Sequence, residues 1–448
     1  MKNWRLGILL FLICVGLILP VDAVDAAFTG LPAKFSDQGV ITGVPSPTAI
    51  AWLPDGTLLA TGKAGGVYRQ SGGVGASILD ISGKVCSGGE MGLLGLAVDP
   101  QFASGRRFLY VYYTNKRGSG CNDAKDRANR VSRFTMDGGG ALTPSSELVL
   151  LDNIAAKGGN HNGGDIQFGS DGMLYIAVGD SGSDLLNGDG QDGNGNARRM
   201  DILNGKILRV TPDGAIPPDN PFAGSGSGIC AVNGQIAGRS AESSVSAEKK
   251  GRKNKKAKKR KKRKQRERKR NQGQNGNPPV SSTRCGEIFA TGLRNPYRIA
   301  FDPDATGAPR FFINDVGGGA WEEIDQSVAG ADYGWNLREG PCKVGSTSDC
   351  ASDARFVDPI HAYNHGTGCN VITGGAFVPN GSLWPNTSLY LYADFGCQKL
   401  FTINENNPAT ATQFASGSGT THLAFGPDKQ LYYTDYGAGA IRRIVYTP

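Results

Sequence analysis

Along the chain, an apolar stretch, a polar turn and a second apolar stretch recur six times. The first three are AIAWLPDGTLLATG (49–62), LGLAVDPQF with FLYVYYT (94–114), and DIQFGSDGMLYIAVGD (165–180). RIAFDPDATGAPRFFINDVG (298–317), ITGGAFVPNGS with LYLYADFG (372–396) and HLAFGPDKQLYYTDYG (422–437) complete the set. Apolar and polar residues alternate within each unit, and Gly, Asp or Pro stands where a hairpin must turn. One such hairpin cannot bury both of its faces, whereas several stacked around an axis can. Glycine makes up 66 of the 448 residues, and it interrupts every long stretch that could carry helical periodicity. The pattern predicts an all-β chain folded as a six-bladed β-propeller. A β-sandwich is the alternative, but six similar hairpins spread along this length are hard to fit in one.

The N-terminus reads differently. Lys2 and Arg5 precede an apolar run from Leu6 to Pro20, and Ala23, Ala26 and Ala27 follow. This is the pattern of a secretory signal peptide, and the run falls short of the ~20 residues a membrane-spanning helix needs. The expected organisation is a signal peptide over 1–26 and a single propeller domain over 27–448. The mature protein is expected to be exported, secreted or otherwise extracytoplasmic, with no transmembrane span. Without Cys14, eight cysteines remain, an even number that in an exported chain suggests disulfides. Roughly a hundred pairings are open to eight cysteines. Pairing of sequence neighbours is the expectation adopted: 86–121, 230–285, 342–350 and 369–397. Zinc is disfavoured by the absence of any C-x-x-C and by only four histidines.

Charge changes the picture once. Residues 249–270 hold 17 of the 48 Lys and Arg but one of the 40 Asp and Glu, which leaves 31 basic and 39 acidic residues elsewhere. An acidic body therefore carries one strongly basic insertion, at about 240–280, between the third and fourth repeats. Like charges without apolar residues predict disorder there. The insertion is either an electrostatic tether to an anionic cell-envelope polymer or surface, or a tolerated loop with no partner. It has no interleaved aromatic residues, so specific nucleic-acid binding is not expected.

Four loops ahead of strands combine chemistry-bearing residues with glycine. GGNHNGGDIQF (158–168) sets His161 between Asn160 and Asn162, at a strand entrance where an exposed imidazole can accept a proton near neutral pH. In GLRNPYRIAFDP (292–303), Arg294 offers a planar fork to an oxygen and Asn295 both a donor and an acceptor. In INDVGGGAWEEID (313–325), Gly317 and Gly318 can turn bare carbonyls to a hard cation, while Glu322, Glu323 and Asp325 are either further ligands or, the reading preferred, turn and surface charges. CSGGEMGLLGLAVDP (86–100) puts Glu90 just before an inner-strand pattern. The plainer alternatives are a turn histidine without a role and a surface arginine.

Five phrases make a resemblance: GGEMGLLGLAVDPQF, NHNGGDIQFGSDGMLYIAVGDSG, NGKILRVTPDG, GLRNPYRIAFDP and WEEIDQSVAGADYGWN. In this order, from about residue 36 to 447 and interrupted by the basic insertion, they resemble the glucose/sorbosone dehydrogenase family. That family includes soluble quinoprotein glucose dehydrogenase, aldose sugar dehydrogenases and the propeller of Hedgehog-interacting protein. The resemblance implies a secreted sugar dehydrogenase that oxidises the anomeric hydroxyl of an aldose to a lactone by hydride transfer to pyrroloquinoline quinone (PQQ), with Ca2+ beside the quinone. A non-catalytic binding module of the Hedgehog-interacting type is the alternative.

The resemblance also implies roles. His161 matches the general base, Arg294 and Asn295 the residues that hold the quinone's reactive oxygens, and Gly317 and Gly318 the main-chain metal ligands. Glu90 falls near the sugar, and Lys399 in DFGCQKLF near the cofactor's carboxylates. Asn160, on the cofactor side, stands where the glucose enzyme carries an aspartate that orients the histidine, so slower turnover is expected. Short cysteine-bearing loops at 361–377 and 392–401 imply the aldose dehydrogenase branch, of broad specificity. No C-x-x-C-H haem motif occurs, so electrons are expected to leave to an external acceptor. A propeller lactonase would instead surround its metal with acidic and amide side chains.

Overall fold

The computed structural model describes residues 27–185, 194–230 and 284–448. The expected signal peptide and the basic run 249–270 lie outside the described residues. Each of the six repeats supplies the first two strands of a four-stranded antiparallel sheet, with the first strand innermost. The inner strands are Pro47–Trp52, Leu93–Val98, Ile166–Phe168, Pro296–Phe301, Ile372–Phe377 and Thr420–Phe425, in blades 1 to 6. Each packs beside the next and the last beside the first, so the ring closes. This is the expected six-bladed propeller.

Closure is made by the chain's two ends. The fourth strand of blade 6 is Phe35–Thr42, which pairs antiparallel with Ala440–Tyr446 from Phe35 opposite Tyr446 to Thr42 opposite Ala440. The basic insertion belongs to blade 3, between its third strand Lys206–Val210 and its fourth, Ile288–Ala290. Cys230–Cys285 ties the edges of that insertion, where Ser227–Gly228 also pairs with Arg284–Cys285. The other three disulfides, Cys86–Cys121, Cys342–Cys350 and Cys369–Cys397, are likewise those expected.

The core is a ring of layers between blades, because side chains alternate across each strand. In blade 2, Leu109, Val111 and Tyr113 pack with Leu59, Val67 and Leu79 of blade 1. The intervening Tyr110 and Tyr112 pack with Ile166, Leu174 and Ile176 of blade 3. Among the described residues six such clusters fill the six blade interfaces. This double-sided burial is why the second strands read as nearly continuous apolar runs.

All six inner strands run the same way along the axis. Thr48, Leu94, Tyr297, Thr373 and Thr421, at their starts, line a cavity of about 440 Å3. Trp52, Phe168, Phe301, Phe377 and Phe425, at their ends, line another of about 580 Å3. Arg298 lies buried in the axis, donating to the carbonyls of Thr421, Thr48 and Leu94 at 3.0, 2.6 and 3.2 Å. One guanidinium thereby ties inner strands of blades 1, 2 and 6 to blade 4. No helix among the described residues is long and apolar enough to cross a membrane.

Candidate active site

Loops that feed the inner strands gather at the cavity where those strands begin. They bring Glu90 from blade 2, His161 and Asn160 from blade 3, and Arg294 and Asn295 from blade 4, whose loop between its second and third strands adds Gly317. His161 is 3% exposed, not open at a strand entrance as the sequence suggests, and lines the cavity. Its backbone is left-handed, with φ +49°, a conformation uncommon for a residue with a side chain. The surroundings enforce it. Glu90 Oε2 accepts the His161 backbone N–H at 2.7 Å, and Ser181 N–H donates to the His161 carbonyl at 3.2 Å. A Cβ on Gly179 would fall 2.1 Å from that carbonyl, so only glycine fits there.

The imidazole has a buried carboxylate partner: Nδ1 lies 2.7 Å from Asp180 Oδ1. Asp180 is itself fixed by the Trp335 indole N–H on Oδ2 at 2.8 Å and the Gly182 N–H on Oδ1 at 2.7 Å. With Nδ1 so engaged, Nε2 is the ring nitrogen left to the cavity. The partner assigned from the sequence, residue 160, does not have this place. Asn160 lines the cavity with its amide against Gly158 and Gly182, and the expectation that the histidine lacks an orienting aspartate is corrected. The hairpin register explains the switch. Ile166 pairs with Ile176, and continuing that pairing sets residues 161–162 beside 180–181.

Arg294 and Asn295 are held by Asp315, whose two oxygens accept their backbone N–H groups at 2.8 and 2.6 Å. Arg294 Nη1 donates to the Val316 carbonyl at 3.0 Å, and its guanidinium lies 5.5 Å from the Trp335 ring centroid. The Asn295 amide joins the loops of three blades, donating to Glu90 Oε2 at 3.1 Å and accepting from Gly163 N–H at 3.0 Å. Gly317 lines the cavity with its N–H turned to Glu322 Oε2 at 3.3 Å, while Gly318 lies one residue behind, under Trp335.

Two expectations fail in this region. Glu322, Glu323 and Asp325 are not surface charges: they lie on the strand Trp321–Gln326, inside blade 4, and are all buried. Burial first, and then repulsion from neighbouring carboxylates (Asp325 and Asp315 on Glu323, Asp315 and Asp358 on Asp325), raise the pKa values of Glu323 and Asp325 well above the ordinary carboxylate value, and burial pushes Asp315 up to about 7. The oxygens of these three lie within 4.8 Å of one another, a set of hard donors that must be protonated or neutralised. Lys399, expected at the cofactor, opens the third strand of blade 5 opposite Asp394 and does not line the cavity. The lysine there is Lys63, from blade 1, donating to the Gly89 carbonyl and lying 3.4 Å from Tyr436 Oη. Nothing local in its sequence marks it, since the contact spans blades 1, 2 and 6.

Residues 44–232 and 266–392 match the sequence model of the family described as glucose/sorbosone dehydrogenase. The chain belongs to the glucose/sorbosone dehydrogenase family. Among curated relatives, it is 25% identical over 383 residues to the HIPL2 protein of Arabidopsis thaliana, covering 73% of this chain and 46% of the plant protein. The chain thus spans about half the length of that relative. It is also 25% identical over 329 residues to the aldose sugar dehydrogenase YliI of Escherichia coli, covering 71% of this chain and 67% of that one. The PQQ-bound aldose sugar dehydrogenase of Streptomyces coelicolor superposes with a TM-score of 0.61 at 24% identity, over 93% of this chain and 100% of that structure. At that identity the superposition supports the shared family fold.

Proposed function

We propose that the protein is an exported PQQ- and calcium-dependent aldose dehydrogenase that oxidises the anomeric hydroxyl of a sugar to a lactone and passes the electrons to an external acceptor. One observation carries this reading: His161, braced by Asp180, opens onto a cavity that also holds Glu90, Arg294, Asn295 and Gly317. In this reading His161 Nε2 takes the proton of the anomeric hydroxyl. Asp180 keeps the proton of Nδ1 in place and stabilises the imidazolium that forms. Glu90, fixed by His161 N–H and Asn295, faces the sugar's hydroxyls.

The residues fit the expected cofactors. Arg294 and Lys63 supply cationic donors for a quinone bearing several carboxylates, and Asn295 an amide for its reactive oxygens. Gly317 and Gly318 offer main-chain oxygens of the kind calcium takes. When bound, PQQ supplies the two-electron acceptor for the hydride, with Ca2+ polarising its carbonyl. Val371 and Phe395 in the lining exclude water from that exchange. The likeness to the PQQ-bound Streptomyces enzyme and to YliI supports the reading.

The test is dye reduction by the exported protein with calcium, PQQ and a panel of aldoses. Sugar-dependent reduction that needs both additions and is lost in His161→Ala is expected. No reduction, together with no PQQ binding by calorimetry, would favour a non-catalytic binding module, the reading that the match to the plant HIPL2 protein supports.

The 249–270 run is assigned as an electrostatic tether to an anionic cell-envelope polymer or surface. Its deletion should leave dye reduction intact and lower the salt needed for elution from heparin. Equal elution with and without the run rejects the tether.

A further inference from the structure

Glu339 has no part in the chemistry assigned so far, yet it holds the loop that carries Gly317 and Gly318. It sits on a short hairpin, Arg338–Glu339 paired with Cys342–Lys343, which the Cys342–Cys350 disulfide ties down. Its side chain is buried, and its Oε1 accepts four consecutive backbone N–H groups. These come from Gly318, Gly319, Ala320 and Trp321, at 2.8, 2.9, 2.8 and 3.0 Å. Gly345 N–H approaches Oε2 at 3.4 Å. A run of N–H groups converging on one point is an anion-binding concavity, and here the chain supplies its own anion.

The consequence follows from the planarity of the peptide bond. In a trans peptide the carbonyl of one residue points opposite to the N–H of the next. With the N–H groups of Gly318 and Gly319 aimed at Glu339, the carbonyls of Gly317 and Gly318 are turned to the other side of the loop. The preceding peptide marks which side that is. Gly317 N–H goes to Glu322, and the Val316 carbonyl of the same peptide accepts from Arg294 on the cavity wall. The loop has no slack to turn over, since a Cβ on Gly317 would fall 1.4 Å from the Trp321 carbonyl.

We propose that Glu339 is the positioning residue of the cation site: it anchors the 318–321 N–H groups, so that the Gly317 and Gly318 carbonyls are fixed toward the cavity for a divalent cation. This rests on the reading that those carbonyls hold calcium. A fixed negative charge on the far side of the loop also favours a cation on the near side. Glu339→Gln keeps the size of the side chain but removes the charge and puts an amide where only acceptors fit.

The test is calorimetric titration of the quinone-free protein with calcium, alongside its thermal midpoint. Glu339→Gln is expected to raise the calcium Kd at least tenfold. In the PQQ-loaded variant, excess calcium should restore the sugar-dependent rate, a rescue that a purely structural role would not give. A Kd within twofold of wild type, or a rate defect that excess calcium leaves untouched, overturns the proposal. Should Glu339→Gln not fold, Glu339→Asp takes its place: the carboxylate is then one methylene short, and an unchanged Kd is again fatal. A wild-type protein that binds no calcium defeats the cofactor reading and this inference together, an outcome distinct from a defect confined to the variant.

Discussion

Individual side chains here take their properties from what surrounds them. His422 is buried beneath the axis, its Nδ1 accepting the Ile50 N–H at 3.1 Å, with Arg298 nearby and Lys429 lining the same lower cavity. Burial first, and then the Arg298 guanidinium, hold its pKa well below the ordinary histidine value. Burial also lowers that of His361, against the opposing pull of the Pro408 carbonyl. The folded state thus refuses protons that the unfolded state takes up below about pH 6.5. The contribution of these two histidines to stability is therefore complete above that range and falls as pH drops through it. The slope reaches at most about 1.4 kcal/mol per pH unit for each such group, until the depressed folded pKa is reached. His422→Asn keeps an acceptor for Ile50 and removes one of these protons. Urea midpoints at pH 5 and 7.5 should differ less in the variant than in wild type, and an equal difference would contradict the assignment. His161 was legible as the residue of interest from its glycine-rich strand entrance, but its partner was not. Asp180 is 19 residues away in the chain, and only the pairing register of the hairpin sets it beside the ring.

At the scale of elements, alternation and turn chemistry were enough to find every repeat, because both are local. Less local is the way blade 3 is braced behind the site. Lys206, on its third strand, is fully buried and donates to the carbonyls of Asn196, Ala197 and Asn204 at 3.0, 2.6 and 2.7 Å. Asn196 in turn donates to the Asp180 carbonyl, and Asn204 to that of Gly179, at 2.8 and 3.1 Å. One ammonium thus collects the segment that backs the His161 partner. Lys206→Met would strand three carbonyls in an apolar interior, at a cost of about 3 kcal/mol or more. A lowered denaturant midpoint should report it, and an unchanged one would mean that water replaces the ammonium. The acids Glu322, Glu323 and Asp325 show the limit of local reading. Their sequence resembles a charged turn, but pairing with His361–Asn364 puts them inside blade 4.

For the whole molecule, the decisive joint is the closure of the ring. Asp37, on the N-terminal strand, has a fully buried side chain that pairs with Arg442 of blade 6 at 2.9 Å, while also accepting from Tyr433 and, at 2.8 Å, from Phe28 N–H. Asp37→Ala would leave the arginine buried without its counter-charge, a change expected to cost about 3–5 kcal/mol. Chemical denaturation measures this directly. A loss below 1 kcal/mol would show that closure rests on the strand ladder alone. Arg298 works on the same scale, joining four inner strands across the axis.

By itself the sequence determined the blade number and the loops that meet at the cavity, and the neighbour pairing of cysteines it suggested is the one found in the structure. Strand alternation, turn residues and cysteine spacing act over a few to some tens of residues. Tertiary structure alone decided which side chains meet in the cavity: Lys63 in place of Lys399, and Asp180 in place of residue 160 as the partner of His161. Radial stacking brings together residues hundreds of positions apart, and the strand register, not local composition, aims each one.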